Sequence, residues 1–196
     1  RIKKLCKLID KYHKDGSVLI FAQTTAYVDA LYNILRERYT DEVTRYHSRV
    51  KPERHKKELL FDFLQGERKI MISTSAFSMG IDVSDIELVV HFNAPISMTD
   101  YIQQIGRAGR DGSKAHCVLF YDQNGDDDTV SDSFIKKVKK QSAKAAKTIK
   151  TKRKQMHDFI HSDNCMVSDI LEYQGQNETK TCKRCTVCAQ KRRSSK

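Results

Sequence analysis

The stretch SVLIFAQTTAYVDALYNILRERY, residues 17–39, decides the fold class. Its first part, 17–23, is a short apolar run after Gly16, and the part at 27–39 repeats apolar residues with a period near 3.6. A buried strand followed by an amphipathic helix accounts for this change of period. The pattern recurs along the chain and predicts further strands at 42–48, 69–75, 87–95 and 116–122, a helix at 52–66 and another beginning at Ser97 or Thr99.

This alternation of strands and helices predicts an α/β fold. Strands separated by helices of about 10 to 15 residues imply βαβ crossovers and a mostly parallel sheet with flanking helices. We predict that residues 1–125 form this domain, that 126–190 form a small helical subdomain, and that 191–196 are a flexible tail. Because the sequence begins at Arg1 with helix-like apolar spacing, we expect it to be a piece of a longer protein.

The charge of the chain favours a polyanionic partner. It has 36 Lys and Arg against 25 Asp and Glu, a formal net charge of +11, and nucleic acid is the commonest such partner. Ten of these basic residues, and no acid, lie between Lys136 and Lys154. They are either the solvated face of a helical hairpin or a surface that follows phosphates. No apolar run reaches the length of a membrane span, and we expect no membrane association.

Four cysteines have the spacing of a metal site. Cys165, Cys182, Cys185 and Cys188 form a C-x16-C-x2-C-x2-C array, which suits tetrahedral Zn²⁺. With all four positions filled by protein, such a zinc would be structural. Disulfides are disfavoured because nothing indicates secretion, and His161 remains open as a substitute for one cysteine.

The stretch YIQQIGRAGRDG, residues 101–112, places cationic side chains on a glycine-rich turn. Gln103, Arg107 and Arg110 project from the end of a helix and the loop after it, where the glycines allow tight turning. The planar, always charged guanidinium suits phosphate oxygens.

That stretch resembles motif VI of the superfamily 2 helicases and, with AGRDG, that of the RecQ family. The segment VLIFAQTT (18–25) resembles motif IV, and YHS (46–48) followed by Arg54 resembles the YHAGL segment of the family. The segment STSAFSMGIDVSDIELVVHFNAP (73–95) resembles motif V and the strand after it. The basic hairpin and the four cysteines resemble the RecQ zinc-binding subdomain, so that the resemblance covers residues 16–190, nearly the whole chain.

The sequence also departs from the RecQ pattern. Arg49 and Val50 replace the usual Gly-Leu, and Ser78 replaces a usual glycine, which places the geometry of these loops in question. The sequence contains neither a G-x-x-x-x-G-K-[ST] phosphate loop nor a DExH box. In RecQ helicases these lie on the first RecA-like domain, so the resemblance implies the second RecA-like domain with its zinc module.

The resemblance implies an ATP-dependent 3′-to-5′ DNA helicase that uses Mg²⁺ and serves DNA repair or recombination. It implies that Arg110 is the arginine finger, that Arg107 is a second phosphate or coupling contact, and that Gln103 positions the γ-phosphate side of the cleft. The other implied nucleotide contacts are Gly80, Asp82 and Gly106, and the implied DNA contacts are Thr24, Ser73, Thr74 and Ser75. The implied ligands of the structural zinc are Cys165, Cys182, Cys185 and Cys188.

The implied partners are single-stranded and partly duplex DNA and the first RecA-like domain of the same protein. We expect a monomer, located in the bacterial nucleoid or in a eukaryotic nucleus, and we expect this chain alone to hydrolyse no ATP. One alternative is a non-catalytic, zinc-containing nucleic-acid-binding module. Another is a DEAD-box RNA helicase, which shares the GRxGR pattern but explains neither the cysteines nor AGRDG.

Overall fold

The computed structural model describes residues 1–14, 16–78, 86–122, 135–140, 142–176 and 181–194. Its strands are β1 (Ser17–Phe21), β2 (Val43–Tyr46), β3 (Ile70–Ser73), β4 (Ile86–His91) and β5 (His116–Leu119). Its α-helices are α1 (Ile2–Tyr12), α2 (Thr25–Tyr39), α3 (Glu53–Leu64), α4 (Met98–Ile105), α5 (135–139), α6 (Ala143–Ile160), α7 (Met166–Tyr173) and α8 (Thr186–Ser194). The five strands predicted from the sequence are confirmed, each with fewer residues than predicted, although β4 begins one residue earlier than predicted.

The strands form one parallel sheet in the order β2-β3-β1-β4-β5. The first strand is therefore central, with Val18 opposite Ile70 on one side and Leu88 on the other. From β1 the chain passes to β2 at one edge of the sheet, then to β3 between them. It then crosses to the other side of β1, where it forms β4 and β5. This arrangement confirms the predicted α/β class.

The alternation of side chains along β1 divides the core between two faces. Val18 and Ile20 pack in a cluster with apolar residues of α1 and α2. Leu19 and Phe21 point to the opposite face and pack in a cluster that includes Phe63 of α3. Because helices cover both faces, every residue of β1 is buried.

The start of α4 resolves a choice that the sequence left open. Ser97, and not Thr99, caps the helix, since its Oγ accepts a hydrogen bond from the Asp100 N–H at 3.1 Å. The Ser97 hydroxyl in turn donates to the Asp100 carboxylate at 2.6 Å. This reciprocal pairing satisfies a backbone donor of the first turn that has no partner within the helix.

The chain forms two compact units. One comprises Arg1–Pro95 with Gln103–Ser133, and the other Ile96–Ile102 with Phe134–Lys196. The boundary predicted between residues 125 and 126 falls outside the described residues.

The C-terminal end differs from the prediction. Residues Lys191 to Ser194 continue α8 and are not a flexible tail. The three cations in the last turn of this helix, Lys191, Arg192 and Arg193, are stabilised there by the negative end of the helix dipole. The side chain of Arg192 also donates to the carbonyl of Lys183.

The basic segment forms the longest described helix, α6, with 18 residues. Its buried residues are Ala146, Met156 and Phe159, and its lysines are exposed. Among the described helices, none is both long and apolar enough to cross a lipid bilayer.

Candidate functional site

A glycine turn fixes the segment after α4 against the amino end of β4. The Gly109 N–H donates to the carbonyl of Ile86, the first residue of β4, at 3.0 Å. Gly109 has a φ of +63°, and a Cβ added there would lie 2.8 Å from the carbonyl oxygen of Ser113. Only glycine fits this position without moving the backbone. Gly112, with a φ of +84°, completes the turn through a hydrogen bond from its N–H to the Gly109 carbonyl at 3.1 Å.

The two arginines of this turn lie in different environments. Arg110 is exposed, and its Nε donates to the carbonyl of Gly106 at 3.2 Å. Arg107 is only 8% exposed. Gln103 is exposed on the last turn of α4. The Arg110 side chain is therefore accessible from solvent, whereas Arg107 is largely enclosed by protein.

Of the three other predicted nucleotide contacts, one lies among the residues that the structure describes. Gly106 is exposed in the turn between α4 and Arg107. Gly80 and Asp82 lie outside the described residues, so their roles stay predictions.

A buried histidine joins β4 to α4, and sequence reasoning missed it. The Nε2–H of His91 donates to Oε1 of Gln104 at 2.8 Å, with both side chains buried. The His91 ring also stacks on Phe21 at a centroid distance of 5.4 Å. Burial lowers the pKa of His91 to about 4, against the smaller opposite effect of the hydrogen bond. His91 is therefore neutral near pH 7 and holds the helix that leads into the arginine turn.

Thr24, a predicted DNA contact, lies at the carboxyl edge of the sheet, where β1 leads into α2. Its Oγ1 accepts a hydrogen bond from the Tyr27 N–H at 3.2 Å and caps α2. The hydroxyl proton can still be donated to an acceptor such as a phosphate oxygen. The positive end of the helix dipole at this place also favours an anion.

Ser73, Thr74 and Ser75 follow one another at the same edge, after β3. Ser73 is fully buried, and its hydroxyl lies 2.7 Å from the carbonyl of Tyr46. As placed, this hydroxyl faces backbone carbonyls of the protein, and the DNA contact of Ser73 stays a prediction. Thr74 is half-buried, with its Oγ1 accepting from the Ala76 N–H at 3.4 Å, and Ser75 is exposed.

Among the described residues, the arginine turn and the predicted DNA contacts lie at different edges of the sheet. The arginine turn is bonded to the first residue of β4, whereas Thr24, Thr74 and Ser75 follow the last residues of β1 and β3. A strand of six residues such as β4 spans about 20 Å.

A second, partly buried network fixes the turn after β2, and sequence reasoning missed its partner on α2. Oδ1 of Asp29 on α2 accepts from Nη1 of Arg45 at 2.6 Å and from Nε2 of His47 at 3.0 Å. Nδ1 of the buried His47 accepts from the Arg49 N–H at 3.2 Å. The YHS pattern marked His47, but no local signal pointed to Asp29, which precedes it by 18 residues.

The four cysteines come together as predicted. Their Sγ atoms all lie within 4.8 Å of one another, and those of Cys165 and Cys185 are 4.0 Å apart. Tetrahedral coordination with zinc–sulfur distances of about 2.3 Å requires sulfurs about 3.8 Å apart, whereas a disulfide requires about 2 Å. The cysteines are therefore positioned to bind a metal ion, and the disulfide alternative does not fit.

The alternative ligand His161 is engaged elsewhere. Its Nδ1 lies 2.8 Å from the carbonyl of His157, and its ring stacks on that of His157 at a centroid distance of 4.1 Å. Among the described residues, the metal-binding cluster contains the cysteines without His161. The four-cysteine set is favoured.

The surroundings of Cys165 favour its metal-binding form. Burial alone would raise the pKa of its thiol, but hydrogen bonds from the backbone N–H groups of Cys182 and Ser168, together with those from the side chains of Cys182 and Cys188, lower it to about 6. The thiolate is the form that ligates a metal. The fold therefore prepares at least this sulfur for coordination.

Comparison with known proteins gives a family for the larger part of the chain. Residues 1–112 match the family described as helicase conserved C-terminal domain. ATP-dependent DNA helicase RecQ of Bacillus subtilis is 33% identical over 191 residues, which are 95% of this chain and 31% of that protein. RecQ of Pasteurella multocida is 26% identical over 189 residues, 95% of this chain and 28% of that protein. The chain thus spans about a third of the length of these relatives.

Solved structures share the fold of the sheet unit. Dbp5 of S. cerevisiae bound to RNA and ADP BeF3 is 27% identical with a TM-score of 0.54, covering 62% of this chain and 32% of that chain. The E. coli DEAD-box protein SrmB is 25% identical with a TM-score of 0.52, covering 60% of this chain and 67% of that chain. These neighbours confirm the predicted RecA-like architecture.

Proposed function

Since the chain belongs to the helicase conserved C-terminal domain family and is RecQ-like over most of its length, we propose that it is the second RecA-like half of a 3′-to-5′ DNA helicase. The observation that carries this proposal is Arg110, exposed on a turn that Gly109 fixes to β4. The sequence has no phosphate loop of its own, so the triphosphate that Arg110 meets is held by a first RecA-like domain.

On the nucleotide side, each residue of the turn has a separate task. Arg110 stabilises the charge that develops on the transferring phosphoryl group, a contribution of about 10³- to 10⁵-fold to turnover. Arg107, being buried, couples this position to the rest of the domain, and Gln103 orients the γ-phosphate side. The first domain would hold Mg²⁺. The remaining proposed nucleotide contacts are Gly80, Asp82 and Gly106.

On the DNA side, Thr24, Thr74 and Ser75 hold the phosphates of one strand without reading bases. Ser73, the last residue of β3, fixes the start of the segment that carries Thr74 and Ser75. We further propose that the parent protein acts as a monomer on single-stranded and partly duplex DNA, in repair or recombination. Its location would be the bacterial nucleoid or the eukaryotic nucleus.

The four cysteines would hold a structural Zn²⁺. Four protein ligands leave no open position for a catalytic water, so this ion stabilises its unit and takes no part in hydrolysis. Such binding can supply on the order of 10 to 16 kcal/mol toward folding a small unit.

Complementation of ATPase activity tests the proposal. The purified chain alone is expected to hydrolyse no ATP. Mixed with a first RecA-like domain that carries a phosphate loop, such as that of the Bacillus subtilis relative, it is expected to show ATPase activity stimulated by single-stranded DNA. Turnover by the chain alone would contradict the proposal. DNA binding without any ATPase in the mixture would favour the zinc-containing binding module instead.

A further inference from the structure

The turn after β2, residues 47–50, begins beside the proposed DNA contacts. The carbonyl of Tyr46, the last residue of β2, lies 2.7 Å from Oγ of Ser73 and accepts from the Thr74 N–H at 3.4 Å. The turn and the loop after β3 are therefore bonded to each other where they leave the carboxyl edge of the sheet.

This turn is held rigidly from inside. His47 is buried, with its two ring nitrogens bonded to the Asp29 carboxylate and the Arg49 N–H. The Val50 N–H donates to the carbonyl of His47 at 3.2 Å, and the Val50 side chain is buried. With both ends of the turn anchored, little conformational freedom remains to be lost when its outer residues bind a ligand.

Arg49 is the residue that this turn presents outward. Its side chain is exposed and forms no ion pair with any residue that the structure describes. The next cation, Lys51, is exposed as well. The RecQ pattern has a glycine in place of Arg49. Of the described non-glycine residues, only Thr40 and Lys183 have a positive φ, so this backbone position accepts a side chain without strain and the loop geometry is kept.

We propose that Arg49 is an additional phosphate-binding site, through which this chain holds the backbone of single-stranded DNA next to Thr74 and Ser75. The inference rests on the proposed function, because it adds one positively charged side chain to the DNA contacts proposed at the carboxyl edge of the sheet. The family pattern has no charge at this position. A guanidinium on a rigid turn can bind phosphate oxygens through two parallel hydrogen bonds. A contact of this kind strengthens binding regardless of base sequence.

The test compares the salt dependence of DNA binding among matched variants of the full chain. A fluorescein-labelled oligothymidylate is titrated, with anisotropy as the readout, at salt concentrations from about 50 to about 200 mM. Each phosphate contact contributes about 0.7 to the slope of log K against log salt for a single strand. Arg49→Ala should therefore flatten the slope by about 0.7. The ratio of the affinity of the unaltered chain to that of Arg49→Ala should then fall about 2.5-fold as the salt rises across that range.

Two further variants serve as controls. Arg49→Lys keeps the charge and should keep the slope. Arg36→Ala removes another exposed arginine, from the last turn of α2, near the opposite edge of the sheet, and should leave both slope and affinity unchanged. Circular dichroism establishes that each variant is folded.

The outcomes separate this inference from the proposed function. If the chain binds the oligothymidylate but Arg49→Ala behaves like Arg36→Ala, the Arg49 site is refuted and the helicase proposal stands. A loss of slope in Arg49→Lys equal to that in Arg49→Ala would also refute it, since the effect would not be one of charge. If the unaltered chain shows no salt-dependent binding, the DNA-binding role and the Arg49 site fail together.

Discussion

At the scale of single residues, the molecule places a titratable side chain where it cannot easily take a proton. His91 lies in the core between Phe21 and Gln104, and its pKa is lowered to about 4 by burial. An unfolded chain protonates the same histidine near its usual pKa of about 6.5. The free energy of unfolding therefore depends on pH through the protonation of His91.

We predict that the linkage appears as a loss of stability in mild acid. The contribution of His91 is fully present above pH 6.5 and is lost as the pH falls toward about 4, by roughly 3 kcal/mol in total. His91→Asn removes the group and should flatten this part of the curve of unfolding free energy against pH, measured by urea denaturation. His55→Asn, which exchanges an exposed histidine of α3 in the same way, is the matched control. Equal slopes in all three proteins would contradict the assignment.

What the sequence can predict at this scale depends on whether the signal is local. The spacing of Cys182, Cys185 and Cys188 is itself a property of one turn, so the metal-binding cluster was predictable. The hydrogen bond between His91 and Gln104 joins β4 to α4. Neither residue lies in a sequence pattern that would indicate this contact. Such pairs become visible only when the packing of helix on sheet is known.

At the scale of elements, the turn between α4 and β5 depends on two glycines for different reasons. Both have positive φ, but a Cβ at Gly109 would meet the Ser113 carbonyl at 2.8 Å, whereas a Cβ at Gly112 would meet nothing within 4 Å. The first glycine is required by both conformation and space, the second by conformation alone.

This difference predicts unequal costs for two otherwise matched substitutions. Gly112→Ala should lower the unfolding free energy by about 1 to 2 kcal/mol, the cost of a left-handed residue with a side chain. Gly109→Ala should cost more, because backbone atoms of Ser113 must also move, and it should displace Arg110. Urea denaturation of both variants measures the difference, and equal losses would show that the close approach to Ser113 is not limiting.

The elements themselves were largely predictable, but their arrangement was not. Period changes such as the one from 17–23 to 27–39 mark the strands and helices, and parallel pairing follows from the crossovers. The central place of β1 and the order of its neighbours follow from long-range packing. The end of α8 was mispredicted because a run of cations is equally typical of a solvated tail and of the last turn of a helix.

At the scale of the whole molecule, the arginine turn and the cysteine cluster lie in different compact units. The unit with the sheet carries the arginine turn, and the unit that includes α6 to α8 carries the cysteine cluster. A small unit without a large core depends on its metal for stability. We therefore expect the two units to respond differently to a chelator.

We predict that the purified chain contains one zinc and that its removal by a chelator unfolds the helices around the cluster but not the sheet. Metal content is measured by elemental analysis, and helix loss by circular dichroism. Cys185→Ser should reproduce the effect of the chelator. Cys117→Ser, which alters a cysteine of β5 outside the cluster, should retain the zinc. Retention of full helicity without metal would contradict a structural role.

The account as a whole depends on a guanidinium of this chain acting on a triphosphate that another domain holds. The most direct test is steady-state ATP hydrolysis by the complemented motor carrying Arg110→Ala, with Arg36→Ala as the matched control. We predict that kcat falls about 10³- to 10⁵-fold with Arg110→Ala, with little change in KM for ATP because the contact acts in the transition state, and that Arg36→Ala is unaffected. An unchanged kcat in Arg110→Ala, or a loss confined to KM, would contradict the account.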